Sequence, residues 1–214
     1  MVLNLFYNLF WISCFMKFNR NLFLNLIGVF LVVLGVVRIF QLVFFIEPVH
    51  VFWLCNHAII FIGIAILFRS SFWLIAEFIF LFWGQILWLV PFLLYFIFGI
   101  VVPGSSAHLI YDSRLINIIS VMVHFLALPL GFVAILLLGK KEKFAWRGAI
   151  VHSLILLPIV LYFGVYYNLN CLLSPCFDFI PKFNLYPLAL YAFYFLVFVL
   201  PLNYLINYII SKKR

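Results

Sequence analysis

The chain has 214 residues, 69% of them hydrophobic and 8% charged, with a mean hydropathy of +1.31. A soluble domain carries about a quarter charged residues, so a water-soluble globular fold is excluded. The net charge of +8 would suggest nucleic acid in a soluble chain. Here the basic residues lie in short loops between apolar runs, where they set topology, and no nucleic-acid partner is expected.

The apolar runs are continuous and helix-length, without the alternation of an outer-membrane barrel. The predicted fold is all-α, a polytopic membrane bundle of about six transmembrane helices. Residues 1–20 are read as an N-terminal interfacial segment and residues 21–214 as one six-helix domain. The opening MVLNLFYNLFWISCFMKFNR has no basic stretch before its apolar run and no small-residue cleavage site after it, unlike a signal peptide. Its run before Lys17 is about fifteen residues, short of the ~20 needed to span. Asn4 and Asn8 share one helical face there.

The first span is expected over Asn21–Ile46, with Arg38 inside it, and the second over His50–Phe68, ended by Arg69. The third starts near Phe72 and carries Glu77 and Gln85. Pro91 breaks or ends it, and residues 92–102 either prolong it beyond a kink or lie at the interface. A turn-rich loop, PGSSAHLIYDSR, precedes a fourth span over Leu115–Leu138. The fifth covers Ala149–Tyr167 and the sixth Leu185–Ile210, the latter carrying Asn203 and Asn207 at a spacing suited to bonds between helices.

With six spans and the N-terminus inside, the cytoplasmic side receives Lys17, Arg20, Arg69, Lys140, Lys141, Lys143, Arg147, Lys212, Lys213 and Arg214. The outer side receives Arg114 and Lys182. This bias puts both termini in the cytoplasm of a multi-pass protein of the cell membrane.

At 1.5 Å per residue, Arg38 lies roughly 12 Å below the outer end of its helix, Cys55 about 8 Å, His57 about 10 Å and His124 about 14 Å. These groups share one band of the outer leaflet, and ionisable groups at such depth face a bundle interior or cavity. Arg38 is therefore expected to turn from lipid toward His57, His124, Asn168 or a bound anion. Cys55 with His124 would be a thiol–imidazole pair, the imidazole generating the thiolate that attacks. Arg38 would hold a carboxylate, a phosphate or a developing oxyanion. The plainer reading of Cys55 is a small hydrophobe. Cys55 and His57 point about 160° apart on one helix, so a single small cavity does not use both.

A histidine metal site competes: His50, His57 and His124, joined by His108 or Asp112. No HxxxH, HxxEH or HExxH spacing is present, and a pair seven residues apart is too far apart for one mononuclear ion; no metal or other cofactor is expected. Glu77 and His152 sit near the cytoplasmic ends of their helices, where they can pair as a structural brace or a proton relay. Cys171 and Cys176 flank Pro175 on the outer side, spaced for a disulfide in an oxidising compartment.

The segment LCNHAIIFIGIAILFRS, with Leu54-Cys55 fourteen residues before Arg69, resembles the YwaF-like integral membrane family. The resemblance continues through Glu77, GQILWLVP, His124, FAWR, YNLNCLLSP and the tyrosine–proline start of the last helix, covering about Pro48 to Tyr208. That family is distantly similar to the androgen-induced membrane hydrolases and a related lipid acyltransferase. The resemblance implies Cys55 as nucleophile and His124 as base; the depth reading adds Arg38 and His57 as candidate substrate-binding residues, with membrane lipid as partner. The function it implies is acyl transfer or hydrolysis. The alternative is a non-enzymatic membrane protein, either a small transporter or a lipid- or protein-binding module, which suits a chain with only five acidic residues. Oligomeric state is open.

The charge bias generates a direct test. A cysteine placed at Lys141 should resist an impermeant thiol reagent added to intact cells and react after permeabilisation. Labelling from outside, above the background of the native cysteines, would reverse the orientation.

Overall fold

The structure, a computed structural model, describes residues 19–46, 48–101, 114–167 and 186–212. Every regular element among them is helical. Helix α1 is Arg20–Phe45, a 3₁₀ turn follows over Pro48–Phe52, and α2 is Leu54–Leu67. Then come α3, Ser71–Phe98; α4, Arg114–Leu138; and α5, Ala145–Tyr167. The last rod is made of α6, Tyr186–Phe193, a π-helical turn at Tyr194–Val199, and α7, Leu200–Lys212. Five runs among the described residues are long and apolar enough to cross a membrane.

The second span departs from expectation. A continuous helix over His50–Phe68 is replaced by the 3₁₀ turn, a break at Trp53 in extended conformation (φ −65°, ψ 128°), and a 14-residue helix. At about 21 Å, α2 alone is short of the ~30 Å hydrocarbon core. The turn adds roughly 10 Å and brings the segment to bilayer length. Breaking the helix leaves carbonyls in the turn without their usual helical donors, and side chains of the first turn of α2 fold back onto them: Asn56 Nδ2 donates to the His50 oxygen at 2.7 Å, and His57 Nδ1 to that of Val51 at 3.2 Å.

Pro91 neither breaks nor ends α3. The helix runs on to Phe98 and stops at Gly99, whose φ of 69° is the left-handed conformation glycine adopts at no steric cost. The amides of Gly99 and Ile100 close back on the carbonyls of Tyr95 and Leu94. Residues 92–98 thus prolong the third helix, which at about 42 Å exceeds the core and must tilt or emerge. The expected interfacial segment before Asn19 and the loop over residues 102–113 lie outside the described residues.

Helix α2 sits at the centre, packed against α1, α3 and α4. Ile59, Ile62 and Ile66 of α2 meet Leu31 of α1, Ile75 and Ile79 of α3 and Ile135 of α4, all essentially inaccessible. In lipid such packing replaces the hydrophobic effect as the source of association, and small residues let backbones approach. Between α1 and α2 they do: a Cβ added at Gly63 would lie 2.8 Å from the Gly28 oxygen and 2.9 Å from the Val32 nitrogen. The outer face of α1, with Val29, Val33, Val36 and Phe40, is exposed and wholly apolar, as a lipid-facing surface must be.

Polar side chains fix the helix ends on one side of the bundle. Asn19 caps α1, and Arg69, in the left-handed conformation (φ 56°), reaches back to the Asn21 oxygen at 2.9 Å and to Asn25 Oδ1 at 2.6 Å. Asn203 and Asn207 grip the loop before α5: Asn203 Nδ2 donates to the Lys143 oxygen, and Asn207 Oδ1 accepts from the Glu142 amide. The last rod is otherwise lightly packed, touching α3 and α5. There the Tyr194 hydroxyl donates to the Phe80 carbonyl.

The glycine seam yields a paired test. Gly63→Ala should destabilise the bundle by about 1–3 kcal/mol, because its methyl meets backbone on α1. Gly84→Ala, whose nearest neighbour would be Leu54 Cδ2 at 3.9 Å, should be neutral or stabilising by up to about 1 kcal/mol. Reversible unfolding in mixed micelles measures both, and equal effects would dismiss the seam.

Candidate functional site

Because Asn56 and His57 are consecutive, their side chains leave α2 in different directions. Each is steadied by a carbonyl of the 3₁₀ turn, and each joins a different polar cluster.

The first cluster is built on Arg38, which lies ten residues after Gly28 on α1 and is 8% exposed. Its Nε donates to Asn56 Oδ1 at 3.2 Å, and Nη1 donates to Gln41 Oε1 at 2.6 Å. Both partners are neutral amides. Among the described residues no carboxylate lies within ion-pair distance, and the bonds this buried cation makes there are to dipoles. The guanidinium turns inward, as depth required, but toward Asn56 and Gln41; it is not bonded to His57 or His124, and Asn168 lies outside the described residues. Sequence reading missed these two amides as partners, although Gln41 stands three residues after Arg38, on the same helical face.

Arg38 is within electrostatic reach of both Cys55 and His124. Cys55 occupies the first turn of α2, its sulfur near the backbone N–H groups of Cys55 and Asn56. It is half-buried and carries no disulfide. His124 is buried on α4, stacked on Trp88 of α3 with ring centroids 3.9 Å apart and planes 18° apart. Its Nδ1 donates to the Ser120 carbonyl at 2.7 Å. A carbonyl only accepts, so the proton sits on Nδ1 and Nε2 keeps its lone pair. Among the described residues no hydrogen bond joins Cys55 to His124. One turn before Trp88, Gln85 is fully buried with neither amide atom partnered among the described residues.

The second cluster lies on the other side of α2. His57 Nε2 meets His152 Nε2 at 3.1 Å, and His152 Nδ1 meets the Glu77 oxygens at 2.7 and 2.9 Å. The Glu77–His152 pair anticipated from the sequence is present. Its union with His57 was not anticipated, because those residues were assigned to opposite ends of the membrane. His57 lies about 15 Å from the Arg69 end of its helix, and because α5 begins at Ala145, a turn before the expected Ala149, both Glu77 and His152 lie about 9–11 Å into theirs. The levels meet inside the bundle. Phe61 and Phe80 close over His152, with ring centroids 5.2 and 5.0 Å away.

The four residues singled out from the sequence are therefore divided. Arg38, Cys55 and His124 share one region, and His57 belongs to another. The alternative set His50, His57 and His124 is likewise divided, and His108, Asp112, Cys171 and Cys176 lie outside the described residues. Among the described residues no three His, Cys, Asp or Glu side chains gather so as to hold a metal ion. A cleft of about 340 Å³ between α3, α4 and α7 is lined by apolar side chains such as Phe78, Phe132 and Ile206, and borders none of the candidates.

No protein-family model, no curated protein and no solved structure matches this chain. The site therefore rests on its own geometry.

Both members of the Glu77–His152 pair are more than nine-tenths buried. Glu77→Leu alone should cost about 3–5 kcal/mol, since a polar ring is left without its partner. Adding His152→Leu should recover part of that loss. A double variant no more stable than Glu77→Leu, by unfolding in mixed micelles, would mean the pair is not coupled.

Proposed function

We propose that the chain is a six-helix protein of the cell membrane with both termini cytoplasmic, belonging with the YwaF-like proteins, and that it transfers or hydrolyses the acyl group of an anionic membrane lipid. The observation that carries this reading is the position of Arg38, a buried cation without a carboxylate among the described residues, within electrostatic reach of both a thiol and an imidazole. A lipid entering sideways would offer its phosphate or carboxylate to the guanidinium and its ester carbonyl to Cys55.

In this reading the Cys55 sulfur attacks the ester carbonyl carbon and forms a thioester as the carbon–oxygen bond to the alcohol breaks. The thiol proton passes to His124 Nε2 and on to the departing alkoxide. Water or a second alcohol then attacks the thioester, gives its proton through Nε2 and restores the thiol. Since sulfur and imidazole are not hydrogen-bonded directly, the proton crosses by one intervening water or substrate oxygen. The Ser120 bond supports the role of His124 by leaving Nε2 basic, and the Trp88 stack holds the ring in place.

The absence of a direct Cys55–His124 bond among the described residues favours one second reading: a lipid-binding protein that uses Arg38 without turnover.

A lipid-like electrophilic probe separates the two. Wild type should be labelled at Cys55, Cys55→Ala should lose labelling while remaining folded, and His124→Ala should label at least tenfold more slowly, in line with loss of a general base. Labelling that persists in Cys55→Ala, or an unlabelled wild type that still binds anionic lipid, would leave the binding reading in place.

A further inference from the structure

The row Val51–His57–His152–Glu77 allows its protons to be counted from donor and acceptor chemistry. The Val51 carbonyl can only accept, so His57 Nδ1 carries a proton. Two imidazole nitrogens at 3.1 Å need one proton between them, because two lone pairs facing each other repel. His152 Nδ1 lies 2.7 and 2.9 Å from the Glu77 oxygens and needs another proton there. Every assignment that satisfies these contacts places three protons on two rings and a carboxyl group. That is one more than two neutral imidazoles and a carboxylate hold, and it makes the row electrically neutral.

We propose that Glu77, His152 and His57 form a buried proton-binding site, in which one exchangeable proton is held on a carboxyl–imidazole–imidazole row across α3, α5 and α2. The ligand is the proton itself, and the neutrality it confers is what makes an acid tolerable at this depth. Without it, a net negative charge would stand among Phe61 and Phe80. The neighbouring elements offer little to compensate: among the described residues the row's hydrogen bonds go to one another and to Val51, and the Trp53 backbone stands beside His57. Tyr194, from the π turn, is engaged with the Phe80 carbonyl, and Arg38 is bonded to Asn56 and Gln41 on the other side of α2. Proton loss would therefore weaken the His57–His152 contact and loosen α2 from α5. The site is separate from the thiol and imidazole of the proposed acyl chemistry.

Nuclear magnetic resonance on the full chain in lipid nanodiscs, with ¹⁵N-histidine and ¹³C-carboxyl glutamate, reads the proposal. The expected result is a scalar coupling between the Nε2 nuclei of His57 and His152 through their shared proton. In addition, His152 Nδ1 and the Glu77 carboxyl should titrate together in a single one-proton step on raising pH. Glu77→Gln should abolish that step while keeping the coupling, and Glu142→Gln, in the loop, should leave both intact. Separate titration of His152 and Glu77, or a step that survives in Glu77→Gln, would overturn the proposal. So would replacement of the coupling by a chelator-sensitive metal between the rings. Where Glu77→Gln unfolds, His57→Gln offers the second variant: the coupling should vanish and the Glu77–His152 step remain.

Discussion

The arrangement depends on a break in the backbone at Trp53. In an unbroken helix the carbonyls of His50 and Val51 would be occupied by amides of the next turn. Here the His50 carbonyl accepts from the Trp53 amide and also from the Asn56 side chain, while that of Val51 accepts from His57. Asn56 then offers its oxygen to Arg38, and His57 offers its second nitrogen to His152. A single irregularity thereby positions two polar clusters on opposite sides of the central helix. Lipid cannot hydrogen-bond exposed backbone, so such a break is tolerable only where protein groups satisfy it. The two side chains that do so are also the ones that build the clusters.

The clusters solve the burial of charge differently. The row through Glu77 reaches neutrality with a proton and is closed at both ends. Arg38 has no counter-charge among the described residues and is held there by two neutral amides. The close approach of α1 and α2 at Gly28 and Gly63 brings Arg38 level with Asn56, so packing by small residues sets the register on which the polar chemistry relies.

Much of this was legible in the sequence. The membrane-spanning segments followed from continuous apolar runs, and the pairing of Glu77 with His152 from their similar depth. Arg38 had to point inward, because exposure to lipid is too costly. The break at Trp53 was not legible: PVHVFW is apolar apart from His50, and hydropathy does not separate a 3₁₀ turn from an α-helix. His57 was set apart from Glu77 and His152 for another reason: the expected fifth span began at Ala149, whereas α5 begins at Ala145 and carries His152 a turn deeper into the bundle. Continuation of α3 past Pro91 was left open for a similar reason. A proline removes one donor, and whether the helix survives depends on neighbours that local sequence does not name.

The contact on which the account turns is the bond from Arg38 to Asn56, and a double-mutant cycle measures it. Arg38→Leu, Asn56→Leu and the double variant would be compared by reversible unfolding in mixed micelles. A buried hydrogen bond to a charged group should give a coupling of about 1.5–3 kcal/mol. A coupling indistinguishable from zero would show that Asn56 does not hold Arg38 in the bundle, and would contradict the placement of the cation beside Cys55 and His124.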